Sequence, residues 1–214
     1  MCGGKVAHPI LISLANIRMK VWNKALSHAF LLLALMPIPK FIHQTSRMCS
    51  LLEAHLFHQC MDAILESLKE AAEYRCMMSN PSGNLRYCFT PLISFIADTP
   101  EACMVACVQG QTSPVTISAS KNFGDHDRHK PHTTALTLHQ LDSVSHLVAD
   151  IKAFFQACEP YCLSGVALPF WCDWLYAKPN HFLTPEALHY WHWQYWDHNV
   201  CWCRFALSDE EIDF

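Results

Sequence analysis

The apolar positions of this chain fall into blocks whose spacing changes from one block to the next. His8 to Ile17 is β-rich and closes on the turn signal Asn16, which predicts a strand. Ala29 to Met36 is an unbroken apolar run stopped by Pro37 and Pro39. It suits a strand buried on both faces, with a helix of the same residues as the rival. From Ser50 to Arg75 the spacing becomes helical. Ser50 and Glu53 form a capping-box pattern, and Leu52, Leu56, Cys60, Ile64 and Leu68 recur every fourth residue. Cys76–Ser79 and Leu85–Phe89 flank Asn-Pro-Ser-Gly-Asn, the pattern of a hairpin.

Leu92 to Ala97 is a short apolar strand that stops on Asp98. A helix start follows, with Thr99 as cap, Pro100 at the first helical position and Glu101 in the first turn. An acid at the tip of a buried strand costs free energy unless it meets a metal, a donor or water, so Asp98 is the leading candidate for chemistry. From Gly110 to Thr134 the chain is polar and irregular, and Leu138 to Cys158 returns to amphipathic helix. Glu159 to Asn180 is irregular again, and a last helix is predicted from Thr184 as cap and Pro185 to about Phe205. Strands and a helix, then a strand–acid–helix unit, predict an α/β core with a mainly helical insertion after about residue 110.

Composition narrows the classes. With 51% apolar and 16% charged residues, the 214-residue chain can build a core and is no disordered polymer. A net charge of −4 with dispersed Lys and Arg predicts no strong DNA-binding patch. Twelve cysteines without a secretory signal point to free thiols in a reducing, intracellular compartment. Ala25 to Ile38, the longest apolar stretch, is shorter than the roughly 20 residues of a membrane span.

Other groupings are weaker. On the last helix, about 100° per residue places Glu186, His189, Trp193 and Asp197 on one face, while about 16 Å separates Glu186 from Asp197. His126, His129 and His132 stand beside Asp125 and Asp127 in a stretch that reads as a solvated loop. Cys103 with Cys107 and Cys158 with Cys162 have helical spacing and read as small core residues. No phosphate loop, dinucleotide fingerprint, nucleophile elbow or zinc-protease motif is present.

Ordered phrases along nearly the whole chain carry a resemblance. Ala7-His8-Pro9-Ile10-Leu11-Ile12-Ser13-Leu14-Ala15-Asn16-Ile17, Ala34-Leu35-Met36-Pro37-Ile38-Pro39-Lys40-Phe41 and Gly83-Asn84-Leu85-Arg86-Tyr87-Cys88 are three of them. Ala97-Asp98-Thr99-Pro100-Glu101, Phe123-Gly124-Asp125, Leu183-Thr184-Pro185-Glu186-Ala187-Leu188-His189 and Trp196-Asp197-His198 complete the set. Together the chain resembles Plavaka-type transposases of fungal genomes. The resemblance implies an RNase H-like core distantly related to the CACTA-like group, nuclear location and DNA as the partner. It implies three acids holding two divalent ions, taken as Mg²⁺, that cut and join DNA strands. Asp98 matches the second of those acids. The third is either Glu186 or a residue beyond Phe214.

The departures shape the expectation. The first acid should sit on a strand upstream of His8, yet no Asp or Glu precedes Glu53, and Asn80 stands where relatives carry an acid. The expected fold is therefore an incomplete RNase H-like core with a mixed sheet: a partial core over 1–110, an insertion over 111–180, and an aromatic C-terminal helix of the same domain over 181–214. The expected function is that of a transposase fragment, inactive alone, with Asp98 and Glu186 as its metal-holding acids. Two alternatives stand beside it. One is a nuclease with an unusual site built from Asp98, Glu186 and a histidine. The other is a non-catalytic interaction module using the Trp-rich C-terminal helix.

Overall fold

The computed structural model describes residues 7–43, 45–80, 82–187, 192–193 and 195–207. The first strand, β1 (Ala7–Ser13), pairs antiparallel with β2 (Phe30–Pro37) in the register Ala7↔Pro37 to Ser13↔Phe30, with an irregularity between Ile10 and Leu11. The connection between them contains the short helix α1 (Met19–Trp22) and a 3₁₀ turn, Ala25–Ser27. The apolar run 29–36 is thus a strand, as its Pro stop implies. Burial on both faces is the part that fails: Leu31 and Leu35 are both 62% exposed, and only Met36 is buried.

The 29-residue helix α2 (Ser46–Tyr74) is the long axis of the core. It starts four residues before the expected box, with the Thr45 hydroxyl accepting from the Met48 N–H at 3.4 Å, while Ser50 lies inside and bonds the Ser46 carbonyl. The expected stripe is also displaced. Leu52, Leu56, Cys60, Ile64 and Leu68 are half-buried, and the buried face runs Leu51, Ala54, Phe57, His58, Met61 and Leu65. A four-residue repeat drifts about 40° per step on a 3.6-residue helix, so a strict i+4 reading follows one flank of the core face.

Strands β3 (Cys76–Ser79) and β4 (Leu85–Cys88) form the expected antiparallel hairpin. Its turn is built as an Asx turn: Asn80 Oδ1 accepts from the Ser82 and Asn84 N–H groups at 3.0 and 2.9 Å. The third pair is parallel, β5 (Phe95–Ala97) with β6 (Leu183–Pro185). Between these two strands come α3 (Thr99–Val105), α4 (Thr134–Ser143), α5 (Ile151–Cys158) and α6 (Pro179–Phe182). The expected helix 138–158 is broken into α4, a 3₁₀ turn and α5, because Asp150 caps a new helix through the Lys152 and Ala153 N–H groups.

The core lies where α2 meets the loops after α5. Phe170, Trp171, Trp174 and Phe182 pack with Phe57, Met61 and Leu65, and a second cluster joins Cys103, Leu141, Phe154, Cys158 and Leu163. Trp171 is fully buried, and its Nε1–H donates to the Val105 carbonyl at 2.6 Å. The segment that looked irregular supplies the densest packing. Lys69 on α2 donates to the carboxylates of Asp62 and Asp173, tying the helix to this segment. The fold is mixed α/β, as expected.

After β6 the C-terminal segment differs from the expectation. Thr184 and Pro185, expected as cap and first helical turn, are strand residues, because their backbone pairs with Ile96 and Ala97 instead. Tyr195–Val200 is π-helical and Cys201–Ala206 forms α7. The π geometry undoes the 100° face on which Trp193 and Asp197 were aligned. His189 of that face lies outside the described residues.

Candidate active site at paired strand ends

β5 is a short apolar strand whose last residue, Ala97, is buried. At that point the chain must start a helix, and Asp98 supplies the cap. Its Oδ1 accepts from the Glu101 N–H at 2.8 Å, and Pro100 fills the first turn where no donor is needed. The cap is thus Asp98 itself and not Thr99, which gives the half-buried acid a structural role beside any chemical one.

The same strand end brings in the second candidate. The parallel register pairs Phe95 with Leu183, Ile96 with Thr184 and Ala97 with Pro185. Asp98 and Glu186 are therefore the next residues on each strand, and the Glu186 N–H donates to the Ala97 carbonyl at 3.2 Å. Ser94 and Thr184 join the strands through their hydroxyls at 2.7 Å. Strands in a sheet lie about 4.8 Å apart, so two acids selected separately in the sequence stand side by side at the ends of neighbouring strands.

Glu101 and His8 complete the electrostatic setting. Burial pushes the Glu101 carboxyl up, the charge of Asp98 adds to the rise, and His8 opposes it. Burial, with Asp98 behind it, also raises the Cys103 thiol. β1 thus starts within electrostatic reach of the acids. A cavity of about 270 Å³ opens there, lined by His8, Met36, Glu53, Phe57 and Met104 among others. A larger one, about 840 Å³, lies between the starts of α2 and α5, away from the acids, with the Arg47–Glu159 ion pair among its lining residues.

The other groupings resolve as structure. Asp125 pairs with His129 at 3.2 Å and His126 with Asp127 at 3.4 Å in an exposed loop, while His132 is buried against the Thr137 hydroxyl. Among the described residues, no three His, Cys, Asp or Glu side chains converge as a metal-holding group. Cys103, Cys107 and Cys158 are buried, free thiols as expected, while Cys162 is half-buried. Cys107 and Cys162 lie past the ends of α3 and α5 with positive φ instead of on one helix with their partners. Cys107 lies 3.4 Å from His58, which dispersed sequence positions gave no means to see. No helix among the described residues is long and apolar enough to cross a membrane.

Charge distribution was the missed signal. The first 52 residues carry six of the 15 Lys and Arg and none of the 19 acids, so residues 53–214 set nine bases against all 19 acids. A net charge averaged over the chain conceals this division. No curated protein and no solved structure matches the chain. A protein-family model, described as Plavaka transposase, matches residues 1–203. With nearly the whole sequence matched, the chain belongs to the Plavaka transposase family.

Proposed function

We propose that this chain forms part of the catalytic core of a DNA transposase, with Asp98 and Glu186 as two of its metal-binding carboxylates. The observation that carries the reading is the parallel β5–β6 pairing, which sets these acids next to each other across 88 residues of sequence. Two carboxylates are a hard donor set, suited to a magnesium ion that keeps most of its water. When bound, such an ion would activate water or a 3′-hydroxyl for attack on a phosphodiester. Glu101 keeps Asp98 anchored through its backbone N–H, and burial with the charge of Asp98 pushes its own carboxyl up.

No third ligand joins the pair among the described residues. Two-ion cleavage would draw a further ligand from outside those residues or from the rest of the active assembly, and without one the chain is not expected to cleave DNA. An RNase H-like arrangement and a nuclear setting follow from the same reading.

The test exploits the double role of Asp98. Asn caps a helix about as well as Asp, so Asp98→Asn should leave the metal-free melting temperature nearly unchanged. Mn²⁺ or Mg²⁺ should raise the melting temperature of the native chain, and Asp98→Asn and Glu186→Gln should each remove the rise. An absent rise, or one that survives both substitutions, overturns the metal assignment. Cleavage by the native chain that Asp98→Asn abolishes would overturn its inactivity.

A second reading has one observation in its favour. Trp193, Trp196 and Trp202 are all more than half exposed on the C-terminal segment, as expected of an interaction module. It predicts that Trp196→Ala and Trp202→Ala leave stability intact and weaken association with a protein partner. The nuclease alternative gains no such support, since no histidine joins the acid pair among the described residues.

A further inference from the structure

We propose that the connection between β1 and β2 is a preformed contact for the sugar–phosphate backbone of duplex DNA, made by Arg18, Lys20 and Lys24. The proposal rests on the transposase reading for its choice of nucleic acid, and on the hairpin for its geometry.

All three side chains are exposed, and none pairs with an acid among the described residues. They differ in this from Arg47, whose guanidinium is occupied by Glu159 and the Phe155 ring. No carboxylate occurs between Ala7 and Leu52 to compete for them. Cations held without internal partners keep their full attraction for phosphate, and each contact made releases a counterion.

The connection is also ordered in advance. The Val21 and Trp22 N–H groups donate to the Arg18 carbonyl, and the Lys24 N–H donates to Val21 at 3.1 Å. Trp22 Nε1–H donates to Ser13 Oγ at 2.9 Å, Ser13 Oγ–H donates to the Ala29 carbonyl at 2.6 Å, and the Trp22 ring leans on Phe30. The three charges sit on a braced backbone, so binding would order little new chain.

Position links this contact to the acids. His8, at the start of β1, lines one cavity with Met104 of α3, the helix that Asp98 caps, and Ser13 ends the strand at the basic connection. Those five residue steps span about 17 Å at about 3.4 Å each, about half a turn of B-DNA. One duplex lying along β1 would meet both the anchor and the acid pair. The excess of acids over bases elsewhere in the chain would repel the rest of it, which makes the placement directional.

Exposed Leu14, Met19 and Leu26 beside these charges would also suit an anionic lipid surface, so the test includes one. Binding of a labelled random-sequence duplex to the full chain is followed by anisotropy in EDTA, from about 50 to about 200 mM salt. Arg18→Gln/Lys20→Gln/Lys24→Gln should flatten the salt slope by about 2.7, which removes about 40-fold of the affinity lost over that range. Lys121→Gln/Arg128→Gln/Lys130→Gln, in the exposed loop of the acidic part, should leave the slope unchanged. Equal slopes for the native chain and the first variant, or equal losses in both variants, overturn the proposal. So does a native chain that ignores DNA, whether or not it binds phosphatidylserine vesicles. EDTA keeps this outcome independent of the metal test, so either reading can fail alone.

Discussion

The β1–β2 hairpin is paired but open, whereas the stretch from Leu163 to Phe182 is irregular but largely closed. In the hairpin, seven residue pairs are in register, yet Leu31, Leu32 and Leu35 face outward and one residue, Met36, is buried. In the later stretch there are few repeating hydrogen bonds, yet Leu163, Val166, Phe170 and Trp171 are essentially inaccessible. The contrast separates two quantities that are often read as one. Backbone pairing needs only a neighbouring strand, while burial needs a layer on the face of that strand. The open leucines of β2 show a strand that is paired and not covered. The irregular stretch is covered because Phe170, Trp171, Trp174 and Phe182 pack into one cluster with Phe57, Met61 and Leu65 of α2.

That difference sets the scale of what substitutions should do. Trp171→Ala removes a fully buried ring and its bond to Val105, and should cost about 3–5 kcal/mol in a urea or thermal melt, enough to unfold a marginal domain. A smaller loss would mean that the loop core is less dense than it looks.

His58 gives the next largest effect, and it depends on pH. Its Nε2–H donates to the Met104 carbonyl and its Nδ1 accepts from the Phe170 N–H, so the neutral ring satisfies both neighbours. Burial lowers its pKa to about 4, against a hydrogen bond to Met104 that raises it and the nearby His55 that lowers it. The unfolded chain, with an ordinary histidine near 6.5, takes up the proton first as pH falls. Stability is therefore full above about pH 6.5 and is lost progressively down to about pH 4, by about 3 kcal/mol in all. His132 is shifted the same way by its burial, and Glu101 the opposite way, so the difference between native and His58→Gln melts isolates the term. An identical pH profile for the two proteins would refute this account.

Gly165 tests the backbone of the closed region. It has φ of +90°, and a Cβ there would come within 2.8 Å of the Phe155 ring and 3.2 Å of Leu51. Gly165→Ala should cost about 1–2 kcal/mol in a denaturant melt. At the other extreme, Leu35→Ser on the open face of β2 should change stability by less than about 0.5 kcal/mol. A large loss at Leu35 would reveal a cover on that face and erase the contrast between the regions.

How far the sequence led can be followed through single residues. Pro37, the Asn80–Asn84 turn and the Asp98-Thr-Pro-Glu101 helix start are local signals, and the strands and caps they mark lie close to where those signals put them. Thr184-Pro185 is also a local signal, and it misled: the pair reads as a helix start but joins a strand, because its partner at Ile96 and Ala97 is remote. The position of Asp98 at a strand tip was legible. Its adjacency to Glu186 was not, since no local pattern encodes a parallel pairing. The basic connection could have been found by asking where acids are absent instead of how the charges sum.

The 88-residue gap between Phe95 and Leu183 also sets an order of events in time. At about 5–20 residues per second, the ribosome delivers Leu183 some 4–18 s after Phe95. Through that interval β5 and Asp98 wait outside the tunnel without the strand that places Glu186. The hairpin with its basic connection is complete before either acid has emerged. On the roles proposed for the basic connection and the acid pair, the nascent chain passes through a stage that can hold on to a phosphate backbone before it can hold a catalytic ion.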